Sequence, residues 1–367
     1  MSTVSAPDLA DTPVDDLLTL TAALVAVPSV SRDERDLADR VERRLAERAP
    51  QLTRARVGNT VIARTEQESD RRVVLGGHLD TVPANGNEVP RLDGDVLHGL
   101  GSADMKGGLA VLLRLAEEIS AGRRPRFDCT LAFYEGEEIA DEFNGLRHVF
   151  ADRPELLAGD FAVLLEPTGG HVEAGCQGTL HVRAQFDGDR AHSARPWMGS
   201  NAIHAAADVL ARVAAHDAGT VTVDGLPYRQ SLQVVRIEGG IANNVVPDMC
   251  TLVVNRRFAP SSSIDDARAE LEELLEGADR VEVISASPGA PPNLDHPLVA
   301  EFVRTLDVDV EPKLGWTDVA RFAARGVPAV NFGPGEPDVA HTAGEYVTRE
   351  SIEQCYAALA RFLGVTG

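Results

Sequence analysis

Residues able to bind a metal or move a proton stand at five separated points in this sequence: His78 with Asp80, Asp104, Glu137-Glu138, Glu166 and His341. In an extended segment positions i and i+2 face the same way, so the His78 imidazole and the Asp80 carboxylate point into one space. A carboxylate bonded to one ring nitrogen of a histidine fixes the tautomer and aims the other nitrogen at a metal. Asp104 lies in the glycine-rich run Gly101-Ser-Ala-Asp-Met-Lys-Gly-Gly108. There it suits either a helix N-cap or a ligand that the glycines allow to approach closely. The run is not a phosphate loop, since it matches neither GxxxxGK[ST] nor GxGxxG. Glu137 and Glu138 read either as a solvated acidic loop or as two carboxylates dividing labour, one on a metal and one on a proton. Glu166 ends the apolar run Phe161-Ala-Val-Leu-Leu165, and an unpaired carboxylate buried there would be expensive. His341 is uninformative alone. Together these residues supply two imidazoles and at least three ligand carboxylates, with no thiolate. Such a set suits a catalytic zinc-type site, and it holds two ions about 3.5–4 Å apart if one carboxylate bridges. Nucleophile chemistry has less support, because no GxSxG elbow is present and no cysteine stands in a catalytic context.

Each of these points falls where an expected strand gives way to a loop or helix, the place where α/β sheets bind ligands. Helices are expected at Asp15–Ala26, Arg32–Arg48 and Lys106–Ser120, and strands at Arg72–Leu75, Cys129–Tyr134 and Phe161–Leu165. Short apolar strands between helices imply a mostly parallel sheet covered on both faces. From Thr179 the pattern changes. Leu180–Asp187 alternates apolar and polar residues, followed by a helix at Ala202–Ala215 and strands near Leu232–Ile237 and Cys250–Arg256. A helix at Ser263–Leu275 and a strand at Val281–Ser285 complete a β-α-β-β-α-β order, that of a split-βαβ module. Pro288–Pro292 is a linker, after which a helix at Val299–Leu306, a strand at Ala329–Phe332 and a helix at Arg349–Leu363 restore the α/β character. The expected fold class is therefore α/β, a doubly wound sheet domain (residues 1–178 and 290–367) interrupted by an inserted α+β, ferredoxin-like domain (residues 179–289).

Composition narrows the function classes. The chain has 367 residues, 44% hydrophobic and 25% charged, close to the globular average. A net charge of −22 argues against nucleic acid and anionic membrane as partners. No apolar run has the length of a membrane span, and Met1–Thr12 lacks the pattern of a secretory leader. Cys129, Cys176, Cys250 and Cys355 form no CxxC pair, which fits a reducing, cytoplasmic setting. Only Lys106 and Lys313 are lysines among 35 basic residues, so an individual arginine carries little weight without a motif around it.

Taken in order, Gly77-His-Leu-Asp-Thr-Val-Pro83, Asp104-Met-Lys within Gly101–Gly108, Glu137-Glu138, Leu165-Glu166-Pro167 and His341 with Glu345 resemble the zinc-dependent amidohydrolases and exopeptidases of the M20 family. The resemblance covers essentially the whole chain. Within the family, Ala191-His-Ser-Ala-Arg-Pro-Trp197, Asn244-Val-Val-Pro247 and Leu314-Gly-Trp-Thr-Asp-Val-Ala-Arg321 resemble the actinobacterial-type succinyl-diaminopimelate desuccinylases. The resemblance implies two Zn2+ per subunit, with Co2+ able to substitute: His78, Asp104 and Glu166 on one, Asp104, Glu138 and His341 on the other. It implies Glu137 as general base, Asp80 orienting His78, and His192 stabilising the oxyanion across a homodimer formed by the inserted domain. Asn244 and Arg257 fall where the family contacts a small N-acyl amino acid substrate. Cys176-Gln177 replaces an arginine pair found in some desuccinylases, and Arg195 is a candidate substitute. The implied reaction is hydrolysis of N-succinyl-LL-2,6-diaminopimelate, with acetylornithine-type deacylation, carboxypeptidase activity or a silent binding homologue as alternatives. Glu135-Gly136 departs from an aspartate common before the paired glutamates, and His98 is an additional imidazole near Asp104 with no implied role.

Overall fold

Four runs that are apolar on both faces, Asp128–Tyr134, Arg72–His78, Phe161–Pro167 and Ala329–Gly333, are buried almost throughout and lie side by side in that order, all parallel. Burial on both faces is what parallel strands require, and it explains the absence of alternation in their sequences. The computed structural model describes residues 9–365, so the beginning of the Met1–Thr12 segment lies outside the described residues. The sheet extends at its edges to eight strands, in the order Thr53–Val57, Thr60–Arg64, the four parallel strands, Val172–Ala174 and Val310–Pro312, with Thr53–Val57, Thr60–Arg64 and Val172–Ala174 antiparallel to their inner neighbours.

Some helices begin where a side chain satisfies a loose backbone group. Asp16 accepts from Thr19 N–H (3.1 Å) ahead of Leu17–Val25, and Thr348 accepts from Ser351 N–H (3.2 Å) ahead of Arg349–Leu363. Gly364, at φ 74°, closes the latter. Leu17–Val25 and Arg349–Leu363 both pack on Gly107–Ser120. Phe302 anchors the core beneath, edge-on to Phe362 at 4.9 Å, Phe161 at 5.3 Å and Phe332 at 5.8 Å.

The chain divides into two compact units. One contains the large sheet and comprises the chain through Ala174, Asn293–Glu311 and everything from Arg321 onward; the other comprises Gly175–Pro292 and Pro312–Ala320. Taken by itself, the second unit is a four-stranded antiparallel sheet ordered Ser231–Gly239, Met249–Phe258, Gly178–Asp187, Arg280–Ser287. With helices Ala207–Ala215 and Ile264–Leu274 packed on it, the connectivity is ferredoxin-like. Leu180, Val182, Ala184 and Phe186 face that core, whereas Thr179, His181, Arg183 and Gln185 alternate onto the opposite face. The expected Ala202–Ala215 helix is two pieces, Ala202–Ala205 and Ala207–Ala215. A hairpin, Thr220–Val223 with Leu226–Arg229, turns on Asp224-Gly225 with both φ positive; the dipeptide is a strong hairpin signal.

Among the described residues no helix is long and apolar enough to cross a membrane. The four cysteines are free and buried. Burial pushes the Cys129 thiol up to about 12 and that of Cys176 to about 11, and it raises Cys250 and Cys355 as well. Since the thiolate is the reactive form, native protein at pH 8 is expected to be inert to a disulfide reagent such as DTNB and to release four thiols in guanidinium. Rapid native reaction of any thiol would contradict this packing.

Candidate metal centre

The central strand of the large sheet ends at His78, its parallel neighbour carries Glu166, and the strand on the other side runs into Glu137-Glu138. His341 lies in the loop after the fourth parallel strand, in the left-handed region at φ 63°. All the carboxyl ends thus open on one side of the sheet. Asp104 comes from the turn Ser102–Lys106 that leads into the Gly107–Ser120 helix. This turn is pressed against the Glu166 strand: a Cβ on Gly108 would come within 2.8 Å of the Leu165 carbonyl oxygen, so only glycine fits.

Asp104 is not a helix cap. Its Oδ1 lies 2.9 Å from His78 Nε2 and its Oδ2 lies 3.4 Å from His341 Nε2, so one carboxylate addresses both imidazoles. Glu138 Oε1 meets His341 Nε2 at 2.8 Å. Potential donor atoms of His78, Asp104 and Glu166 lie within 4.8 Å of one another, as do those of Asp104, Glu138 and His341. The same spacing groups His78 with Glu137 and Glu138. Hard oxygen and imidazole donors, two overlapping three-residue sets and one shared carboxylate fit a pair of divalent cations. Among the described residues no other histidine, cysteine, aspartate or glutamate joins these groups.

Asp80 is present but acts through different atoms from those its spacing suggests. His78 Nδ1 meets the Asp80 main-chain carbonyl at 2.9 Å, while the carboxylate Oδ1 stands 3.6 Å away. That carboxylate accepts the main-chain N–H groups of Glu137 and Glu138, each at 3.0 Å, and the Ser31 hydroxyl at 2.8 Å. A single buried residue therefore fixes the ring of one ligand and the backbone of the two glutamates. Nothing in the sequence marks Ser31 for this part. Glu345 accepts the N–H groups of Gly101, Ala103 and Asp104, and the Lys106 ammonium donates to the carbonyls of Leu24 (3.2 Å) and Val27 (2.8 Å).

Electrostatics in the centre favour positive charge. Burial pulls the His78 imidazole down, but the Asp104 hydrogen bond and the nearby Glu166 and Asp80 carboxylates outweigh it and hold the ring well above its ordinary value. Hydrogen bonds to Asp104 and Glu138 raise His341 to about 10. Burial raises Asp104, and the two imidazoles more than reverse this, leaving it below the carboxylate range. Burial lowers Lys106 to about 7, against the pull of Glu345 and Asp80.

The remaining expected site residues belong to the second unit. His192 is exposed; its Nδ1 accepts from Ala194 N–H at 3.1 Å, which leaves Nε2 as the protonated donor. Ser193 N–H donates to the Asn244 carbonyl (3.0 Å) and Arg195 N–H to the His192 carbonyl (2.7 Å), so His192, Arg195 and Asn244 form one loop cluster. Arg257 stands apart on the outward face of that unit's sheet, one pair along from Asn255, which is paired with His181. Half-buried, its guanidinium has no ion-pair partner among the described residues.

A parallel sheet bearing paired histidine–carboxylate sets at its carboxyl edge is the layout of a metal-dependent hydrolase. The profile of "Peptidase family M20/M25/M40" matches residues 74–364, and the chain belongs to that family. A Mycobacterium tuberculosis protein named "Putative succinyl-diaminopimelate desuccinylase DapE" is 46% identical over 350 residues, 95% of this chain and 98% of its own. The Corynebacterium glutamicum succinyl-diaminopimelate desuccinylase is 42% identical over 354 residues, 95% and 96% of the two chains. Among solved structures, the Bacillus subtilis YXEP protein, described as a dinuclear metal-binding M20 peptidase, superposes with a TM-score of 0.69 at 16% identity, covering 96% of this chain and 99% of its own.

Adding a divalent cation to chelator-stripped protein is expected to raise its melting temperature. Saturation at 100 times Kd corresponds to about 2.7 kcal/mol per site. Asp104→Ala removes the carboxylate common to two of the donor sets and is expected to abolish most of the shift in differential scanning fluorimetry. A full shift in that variant would refute the shared role.

Proposed function

We propose that this protein hydrolyses the amide bond of N-succinyl-LL-2,6-diaminopimelate to succinate and LL-2,6-diaminopimelate. The observation that carries the chemistry is the Asp104 carboxylate facing His78 with one oxygen and His341 with the other. The substrate assignment is supported by the desuccinylase relatives, which match over nearly the full chain. His78, Asp104 and Glu166 would hold one Zn2+, and Asp104, Glu138 and His341 the other. When bound, such ions polarise the amide carbonyl and lower the pKa of water.

Glu137 is the general base. Its carboxylate takes the proton of the attacking water and returns it to the departing amine nitrogen, while its main chain is fixed by Asp80. The His192 Nε2–H suits hydrogen bonding to the oxygen that becomes negative as the tetrahedral centre forms. Arg257, a fork-shaped donor with no internal carboxylate, suits a substrate carboxylate, and Asn244 and Arg195 add polar groups beside His192.

The unit containing residues 179–289 serves as the lid and dimerisation domain, and the working form is a cytoplasmic homodimer. Its surface supports an interface: Trp197 is 76% and Met198 69% exposed, and Ile203, Ile237, Ile241 and Met249 are also exposed. Sedimentation is expected to give a dimer, and a fully active monomer would contradict the assignment.

Glu137→Gln is expected to lower kcat by about 10²–10⁴-fold with bound metal unchanged. The check is a panel of N-succinyl-diaminopimelate, N-acetylornithine and C-terminal dipeptides, with metal analysis of each preparation. Preference for acetylornithine or a peptide would overturn the substrate assignment, and unchanged turnover would overturn the role of Glu137. Arg257→Met is expected to raise KM more than it lowers kcat.

A further inference from the structure

We propose that Glu345 is a positioning residue for the metal centre. Its carboxylate shapes the Asp104 turn so that one aspartate oxygen faces each histidine, and it ties that turn to the loop carrying His341. The inference rests on the two-ion reading above.

The turn is only partly held by its own backbone bonds. Asp104 (φ −117°, ψ 89°) and Met105 (φ −139°, ψ 42°) are non-helical, and Gly101 is left-handed at φ 76°. The N–H groups of Ser102 and Lys106 are met locally, by the carbonyls of Gly99 and Gly101, but those of Gly101, Ala103 and Asp104 need an acceptor outside the turn. Glu345 supplies it: Oε2 accepts from Gly101 N–H at 2.9 Å, and Oε1 accepts from Ala103 N–H at 3.0 Å and Asp104 N–H at 3.1 Å. The Glu345 main chain joins the same framework, with its carbonyl accepting from Gly99 N–H at 3.2 Å and its own N–H donating to Thr342 O at 3.2 Å. Thr342 adjoins His341, so the residue that fixes the Asp104 backbone is continuous with the loop of a second ligand. Glu345 is only 2% exposed, and its carboxylate attracts the buried Lys106 ammonium.

A carboxylate that collects N–H donors can also be structural only. Asp128 is the internal comparison: it accepts from Thr65 Oγ1 (2.6 Å), Gln67 N–H (2.8 Å) and Ser69 N–H (3.0 Å), and no metal-donor group includes it or those residues. The two cases differ in what hangs on the turn. At Glu345 one bonded N–H belongs to Asp104 itself. Glutamine at 345 would retain one acceptor oxygen and set an amide donor against backbone donors.

The experiment titrates metal-free wild type, Glu345→Gln and Asp128→Asn with Co2+, read by visible absorption, with circular dichroism and melting recorded on the same samples. Wild type is expected to take two equivalents. Glu345→Gln is expected to bind the second about 10–100-fold more weakly with an altered Co2+ spectrum, while Asp128→Asn melts lower yet titrates as wild type. Wild-type titration and spectrum in Glu345→Gln would overturn the inference. So would a metal-binding loss in Asp128→Asn equal to that in Glu345→Gln. If Glu345→Gln fails to fold, Glu345→Asp keeps the charge and shortens the reach, with the same weakened second equivalent expected and the same overturning result. A wild type that takes fewer than two equivalents would instead refute the two-ion reading.

Discussion

The Asp104 carboxylate sets the terms for the rest of the large-sheet unit. Its two oxygens face two imidazoles that come from points 263 positions apart in the chain, so two separate backbone excursions must be held to within a fraction of an ångström. The parallel sheet does this for His78 by burying its strand on both faces. It does less for His341, which is half exposed and lies in a loop. Precision on that side has to come from hydrogen bonds rather than packing. The loop's links through Thr342 to Asn87 and to Glu345 supply them. Asp104 therefore has a rigid partner on one side and a tethered one on the other.

Charge follows the same logic. A chain of net charge −22 could be expected to repel an anionic substrate. The relevant quantity is local: divalent cations are the largest charges in such a centre and reverse the field that the surrounding carboxylates create. Most arginines of this chain lie beside acidic residues, as Arg56 does with Asp39 and Glu42 and Arg349 with Asp16 and Asp95. Arg257 is different, half-buried with no carboxylate beside it. In a protein with 57 acidic residues, an unneutralised guanidinium is better evidence for an anion-binding role than the overall charge is against one.

The central strands, the long helices and the five polar positions gathered at the carboxyl edge of the sheet were legible in the sequence because each rests on a local rule: unbroken apolar runs, helical apolar spacing, and polar groups at strand ends. Arg349–Leu363 has its expected bounds because Thr348 and Gly364 mark both ends. Other features depend on non-local partners. In the outer hairpin the Thr53–Val57 arm has arginines at alternate positions and little apolar character of its own, and it is seated because Val61, Ile62 and Ala63 of the Thr60–Arg64 arm find the Asp128–Tyr134 strand. The Asp80 spacing correctly placed the residue beside His78 but could not say which oxygen faces the ring, because the choice follows from the Glu137–Glu138 backbone 57 and 58 positions away. Pro312–Ala320 grouped with the second unit for a similar reason: Lys313 O bonds Gln177 N–H, a pairing without a sequence signal.

Lys106 shows why such a centre retains expensive groups. An ammonium almost wholly removed from water costs several kcal/mol, which a buried ion pair alone rarely recovers. Lys106 recovers part of it from the carbonyls of Leu24 and Val27, the first of them in the last turn of the Leu17–Val25 helix, where cations are favoured. Glu345 and Asp80 pull in the same direction, but burial still outweighs them and lowers the ammonium to about 7. A methionine of equal length would pack at lower cost, but it would remove the ammonium donor from the Val27 carbonyl and the positive charge from beside the two carboxylates. The two carboxylates are the ones that fix Asp104 on one side and Glu137 and Glu138 on the other. The lysine thus belongs to the framework around Glu345 and Asp80, the two acids whose accepted N–H groups hold the Asp104 turn and the glutamate pair in place.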